Sequence, residues 1–218
     1  MVSNGTTNGL DPLGGKPGGP IDRDSELYVP ASPAEGAVLR QAASLSLGLA
    51  ILQALAGFAT GSVALVALAV DSLRDGAAAG VAVILRSGSR GVYRAAASLV
   101  AIIAAVMFLW VVAAPLTGLG GARLPNPWVM VGVALVSLCI NVFVAFRLRR
   151  IAAAGDERRW VFRQARWDFV ADLGVVIAAL AVSDFAARWP DRLAGILIAL
   201  FSLWGVAKLL RSLWRAES

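Results

Sequence analysis

Histidine is absent from all 218 residues. Its absence removes the commonest zinc ligand and the commonest proton carrier near neutral pH. Cysteine is nearly as scarce. Cys139 stands alone, so no disulfide can form within the chain, and a single thiol is expected to be buried and to pack as a small apolar side chain rather than hold a metal. Charge is short too, at 16% of residues against about 25% in a soluble domain. With 58% hydrophobic residues and a mean hydropathy of +0.73, this composition excludes an ordinary soluble fold and places the chain in a lipid bilayer. The net charge of +6 does not point to nucleic acid, because no basic surface interleaved with aromatics is present to bind it.

A membrane span needs roughly 20 mostly apolar residues. Six such segments can be read, from about Val38 to Ala59, Val63 to Leu85, Ala95 to Leu116, Trp128 to Phe146, Asp168 to Ala187 and Leu193 to Leu210. The fifth is expected to begin earlier, near Arg159, as a helix projecting from the membrane. Ser32, Pro33 and Glu35 have the pattern of a capping box with proline at the first helical position, so the first helix should start near residue 33. The expected fold is an all-α membrane protein, a bundle of six transmembrane helices over residues 33–218.

Basic residues set its orientation. With the N-terminus in the cytoplasm, sixteen of the twenty lie on the inner side, Arg123, Arg188 and Arg192 lie outside, and Arg74 falls within the second span. Both termini are therefore expected to be cytoplasmic. Trp110, Trp128 and Trp189 fall near outer ends and Trp160, Trp167 and Trp214 near inner ones, as interfacial anchors do. Residues 1–32 are rich in Gly, Pro, Asn and Asp, lack an apolar core and carry no signal peptide, so a disordered cytoplasmic tail is expected there.

Two pairs of aspartates stand inside the apolar segments: Asp71 and Asp75 in the second span, Asp168 and Asp172 in the fifth. A spacing of four puts both carboxylates of a pair on one helix face. Carboxylates at membrane depth are costly and mark an ion pathway, and two such pairs suggest one shared site for a metal cation. At about 1.5 Å per residue, Asp71 and Asp75 lie roughly 15 and 21 Å below the outer end near Gly61, and Asp172 and Asp168 roughly 20 and 26 Å below Phe185. Antiparallel neighbours would set Asp71 opposite Asp172 and Asp75 opposite Asp168. Gly57 with Gly61, and Gly76 with Gly80, have the Gly-x-x-x-Gly spacing that lets helices approach closely.

At these residues the sequence resembles a known family, the cation diffusion facilitators. GSVALVALAVDSLRDG looks like the family's second helix, SLCINVFVAFRLRR its fourth with Asn141 at a typical Asn position, ARWDFVADLGVVIAAL its fifth, and WPDRLAGILIALFSLWGVAKLLRSL its sixth. The resemblance runs from about residue 36 to 215. It implies six membrane helices with both termini inside, metal ligands at Asp71, Asp75, Asp168 and Asp172, and exchange of a divalent transition metal for protons, usually exporting the metal from the cytoplasm. Asn141, Arg74 and Ser72 would surround those ligands. An all-aspartate set is similar to the manganese branch of the family. The metal is cargo, so the resemblance implies neither an enzyme nor a cofactor. The expected partners are metal ions, protons, the bilayer of the cell (inner) membrane and a second copy of the chain in a homodimer.

Ligand chemistry points the same way. Carboxylates are hard donors suited to Mn²⁺ and Fe²⁺, although affinity order alone would still favour Zn²⁺, and Co²⁺ or Cd²⁺ remain open as cargo. Carboxylates crowded in low dielectric must hold protons when no metal is present, so metal binding would release them without any histidine. Two departures from the family stand out. The chain stops a few residues after the sixth helix, so the family's cytoplasmic C-terminal domain is expected to be missing. Arg74 lies between Asp71 and Asp75, where the family usually has an apolar residue. Its side chain is expected to turn away from the site and pair with a neighbouring helix or with Asp75. The alternative is that its charge takes the metal's place and the protein is a non-transporting scaffold or regulatory pseudo-transporter. A membrane-embedded metal-dependent phosphotransferase also uses Asp-x-x-x-Asp, but in one contiguous block rather than in two pairs some ninety residues apart.

Overall fold

The computed structural model describes residues 19–20, 28–29, 32–86, 90–117, 124–151 and 156–215. Six helices follow one another: α1 (Pro33–Thr60), α2 (Val63–Arg86), α3 (Arg90–Thr117), α4 (Pro127–Ile151), α5 (Asp156–Phe185) and α6 (Trp189–Arg215). Ahead of them, within the segment expected to lack structure, β1 (Gly19–Pro20) pairs antiparallel with β2 (Tyr28–Val29). The rest of that tail lies outside the described residues, as do the side chains of Trp160 and Trp214.

Local chemistry explains where the helices begin. The Ser32 side chain accepts from Glu35 N at 3.2 Å with Pro33 in the first turn, and Asn126 Oδ1 accepts from Trp128 N and Val129 N at 3.0 and 3.3 Å. Between α1 and α2 the chain reverses in two residues. Gly61 takes φ 69°, a left-handed value favoured by glycine, and Ser62 N donates back to Gly57 O at 2.9 Å.

α2 is the central helix. Val63 to Val70 are all buried, and the main core gathers around them from α3 (Val111, Ala114), α4 (Met130, Ala134), α5 (Val175, Ala178, Ala179) and α6 (Ile198, Ala199). Close approach to α1 depends on two glycines. A Cβ on Gly57 would fall 2.7 Å from Val66 Cγ2, and one on Gly76 would fall 2.8 Å from Leu47 Cγ. Gly80 faces open space, so the second Gly-x-x-x-Gly pair is a contact at one of its two positions only.

The outer surface is apolar. Ile51, Leu55, Leu109, Trp128, Ile177 and Leu197 are all exposed, a belt that suits lipid rather than water. Among the described residues, α1, the Pro127–Arg150 part of α4 and the Trp189–Lys208 part of α6 are long and apolar enough to cross a membrane, and Ala101–Ala114 of α3 is a shorter apolar stretch. α2 and α5 are interrupted by charge, α2 by Asp71, Arg74 and Asp75 and α5 by Asp168, Asp172 and Asp184. The protein is thus an all-α membrane protein. Cys139 departs from expectation: it is exposed on α4. Two residues from buried Ser137, it is turned about 200° round the helix from the packed face.

Candidate metal centre

The two aspartate pairs project from α2 and α5 into the interior of the bundle. Asp71, Asp168 and Asp172 are buried and Asp75 is half-buried. One carboxylate oxygen each from Asp71, Asp75 and Asp168 falls within 4.8 Å of the others, close enough for a single cation to touch all three. The i,i+4 spacing brings Asp71 and Asp75 to the same face of α2, and α5 supplies the third oxygen. Asp172 is not part of this trio. Its Oδ2 accepts from Asn141 Nδ2 of α4 at 3.0 Å, so Asn141 acts on the carboxylate nearest to α4.

Arg74 does not turn away. Its Nη1 lies 2.9 Å from Asp71 Oδ1 and its Nη2 2.9 Å from Asp75 Oδ1, while its guanidinium sits 5.8 Å from the Phe201 ring of α6. The expected pairing with Asp75 is present, but the long side chain also reaches back one turn to Asp71 and is itself buried. Both carboxylates of α2 therefore share one buried positive charge, which offsets part of the repulsion between them. Ser72 is buried on α2 one residue beyond Asp71, about 100° further round the helix.

Four contributors were given no role in the sequence reading. Ser202 of α6 donates to Asp71 Oδ1 at 2.9 Å and also to Ile198 O at 3.0 Å. Gln53 of α1 donates to Ser137 of α4 at 3.0 Å, and both are fully buried. Asp191, in the first turn of α6, accepts from Ser62 Oγ at 2.6 Å, Val63 N at 2.8 Å and Ala64 N at 3.1 Å. It caps the N-terminus of α2 from another helix and so holds the helix that carries Asp71 and Asp75. A lone glutamine in the run LAILQALAGF was a signal for Gln53, since a primary amide is costly at that depth. Ser202 left no such signal, because serine bonds readily to its own helix.

Carboxylates buried between the helices of a membrane protein are costly and are characteristic of ion pathways. The chain matches the cation efflux transmembrane domain over residues 39–215. It belongs to the cation efflux, or cation diffusion facilitator, family, whose members are transporters rather than enzymes and carry metal ions as substrate. No curated protein matches it.

Proposed function

We propose that the protein exports a divalent transition metal from the cytoplasm in exchange for protons, with Mn²⁺ or Fe²⁺ as the physiological ion and Zn²⁺, Co²⁺ or Cd²⁺ as further cargo. The observation that carries this reading is the convergence of Asp71, Asp75 and Asp168 oxygens within 4.8 Å, inside a domain of the cation efflux family. Asp172 completes a four-aspartate site. The donors are all oxygen, which favours hard cations, and carboxylates that share protons when metal-free can trade them for the metal. All six helices cross the cell (inner) membrane with both termini in the cytoplasm, and the protein works as a homodimer.

Arg74 favours a second reading, a pseudo-transporter in which the guanidinium occupies the cation's place permanently. One experiment separates the two. Purified protein in proteoliposomes, with a pH dye in the lumen, is given Mn²⁺, Fe²⁺, Co²⁺, Zn²⁺ and Cd²⁺ in turn. Metal entry with matching proton exit supports antiport. Metal entry without proton movement replaces antiport with facilitated diffusion, and no flux of any ion leaves the pseudo-transporter.

A further inference from the structure

Beside the acid cluster, a second polar group is buried between α1, α4 and α5. Gln53 Nε2 donates to Ser137 Oγ at 3.0 Å, and Asn141 Nδ2 donates to Asp172 Oδ2 at 3.0 Å and more weakly to Ser137 Oγ at 3.4 Å. Gln53, Ser137 and Asp172 are each 0% exposed. Two acceptors in this group, Gln53 Oε1 and Asp172 Oδ1, have no hydrogen-bond partner among the described residues. The amide nitrogens of Gln53 and Asn141 are already turned to Ser137 and to the other oxygen of Asp172, and the one hydrogen of the Ser137 hydroxyl, which faces Asp172, cannot serve both orphans. An orphaned buried acceptor costs about 1–3 kcal/mol, and more when it is charged. Packing alone gives no reason to keep an amide there, since an apolar side chain would fill the span without that cost.

The orphans share one chemistry. With Asp172 ionised, as it is when a metal has displaced its proton, both need a hydrogen, and they belong to one connected group, with Asp172 at the end nearer the acid cluster. Water bound to a divalent cation acts chiefly as a donor, because its oxygen faces the metal and both hydrogens point away. Cations that prefer six oxygens keep such water beside the carboxylates, whereas Zn²⁺, complete at four ligands, can take all four aspartates directly and needs none.

We infer that Gln53 determines ion specificity: its Oε1 and Asp172 Oδ1 accept the two hydrogens of a water molecule that the transported cation carries into the site. Asp71, Asp75 and Asp168 then supply direct ligands, Asp172 acts through the water, and Ser137 and Asn141 are positioning residues. The inference rests on the metal-transport reading and adds to it the hydration state of the cargo.

The test uses Mn²⁺ bound to the full chain in nanodiscs. Electron spin-echo modulation by deuterium in heavy water shows whether the bound ion keeps a water, and at least one is expected. Gln53→Met, close in length but without the acceptor, is expected to weaken Mn²⁺ binding about tenfold and leave Zn²⁺ binding nearly unchanged. Gln53→Glu keeps the acceptor and is expected to retain the Mn²⁺ preference. A purely structural role would weaken both ions alike with no rescue by Glu, and that result overturns the inference. Bound Mn²⁺ without water overturns it while leaving metal transport standing. Wild-type protein that binds no Mn²⁺ overturns both the inference and the Mn²⁺ reading beneath it.

Discussion

Arg74 Nη1 lies 2.9 Å from Asp71 Oδ1, one turn back along α2, and the pair is buried. In the proposed site a divalent cation approaching Asp71 would therefore compete with a tethered monovalent one. Replacing Arg74 by Gln keeps a hydrogen-bonding side chain but removes the charge. Arg74→Gln is expected to tighten metal binding by about tenfold, the scale of one partly buried charge interaction. It should also lower the thermal stability of the metal-free protein, and added metal should restore it. Calorimetric titration and melting curves with and without Mn²⁺ check both parts. If metal binding weakens instead, Arg74 is not a competitor.

Asp71→Ala, Asp75→Ala, Asp168→Ala and Asp172→Ala are each expected to abolish metal transport in proteoliposomes while the protein is still made and inserted. Wild-type transport by both Asp168→Ala and Asp172→Ala would break the shared site and leave α2 to act alone.

Proton competition has a definite sign. In the proposed site protons and metal compete for the same carboxylate oxygens, so apparent metal affinity is expected to fall as pH falls, by up to about tenfold per pH unit for each proton displaced. The chain has no histidine, so no additional imidazole step near pH ~6.5 should appear in the profile. Calorimetry in buffers of different ionisation enthalpy counts the protons released. A count of zero with transport intact would rule out antiport.

Asp191 offers a stability test away from the metal. Its carboxylate accepts three hydrogen bonds from the start of α2, so Asp191→Ala leaves two backbone N–H groups without that acceptor in a dry junction. The expected loss is about 2–4 kcal/mol, from one lost cap plus the donors left unpaired. Asp191→Asn, which still presents one acceptor oxygen, should lose less. Melting of detergent-solubilised protein measures the difference, and equal melting of wild type and Asp191→Ala would remove Asp191 from the account of how α2 is held.

Some of the fold was legible residue by residue. Ser32, Pro33 and Glu35 marked the start of α1 through capping chemistry that needs no tertiary partner, and the apolar runs marked six helices to within a few residues at most ends. Gly57 announced the tight α1 to α2 contact, while Gly80 has the same spacing signal and a Cβ there would meet nothing within 4 Å among the described residues. Cys139 was read as buried and is exposed. These misses share a cause. In a membrane helix both the lipid-facing side and the packed side are apolar, so the periodicity that reveals the inner face of a soluble helix is nearly erased.

The sequence by itself determined the class of protein, the order and length of its helices, and the sharing of one helix face by Asp71 with Asp75 and by Asp168 with Asp172. Those properties depend on composition and on the 3.6-residue turn, which every helix obeys wherever it packs. Only the tertiary structure decided which carboxylates meet. Asp168 joins Asp71 and Asp75, Asp172 turns to Asn141, Ser202 reaches Asp71 from α6, and Arg74 bridges its own two neighbours. Rotating α5 by one residue would move its carboxylates about 100°, and nothing in the local sequence opposes that rotation. Contacts with α2, α4 and α6 oppose it, through side chains far apart in the chain.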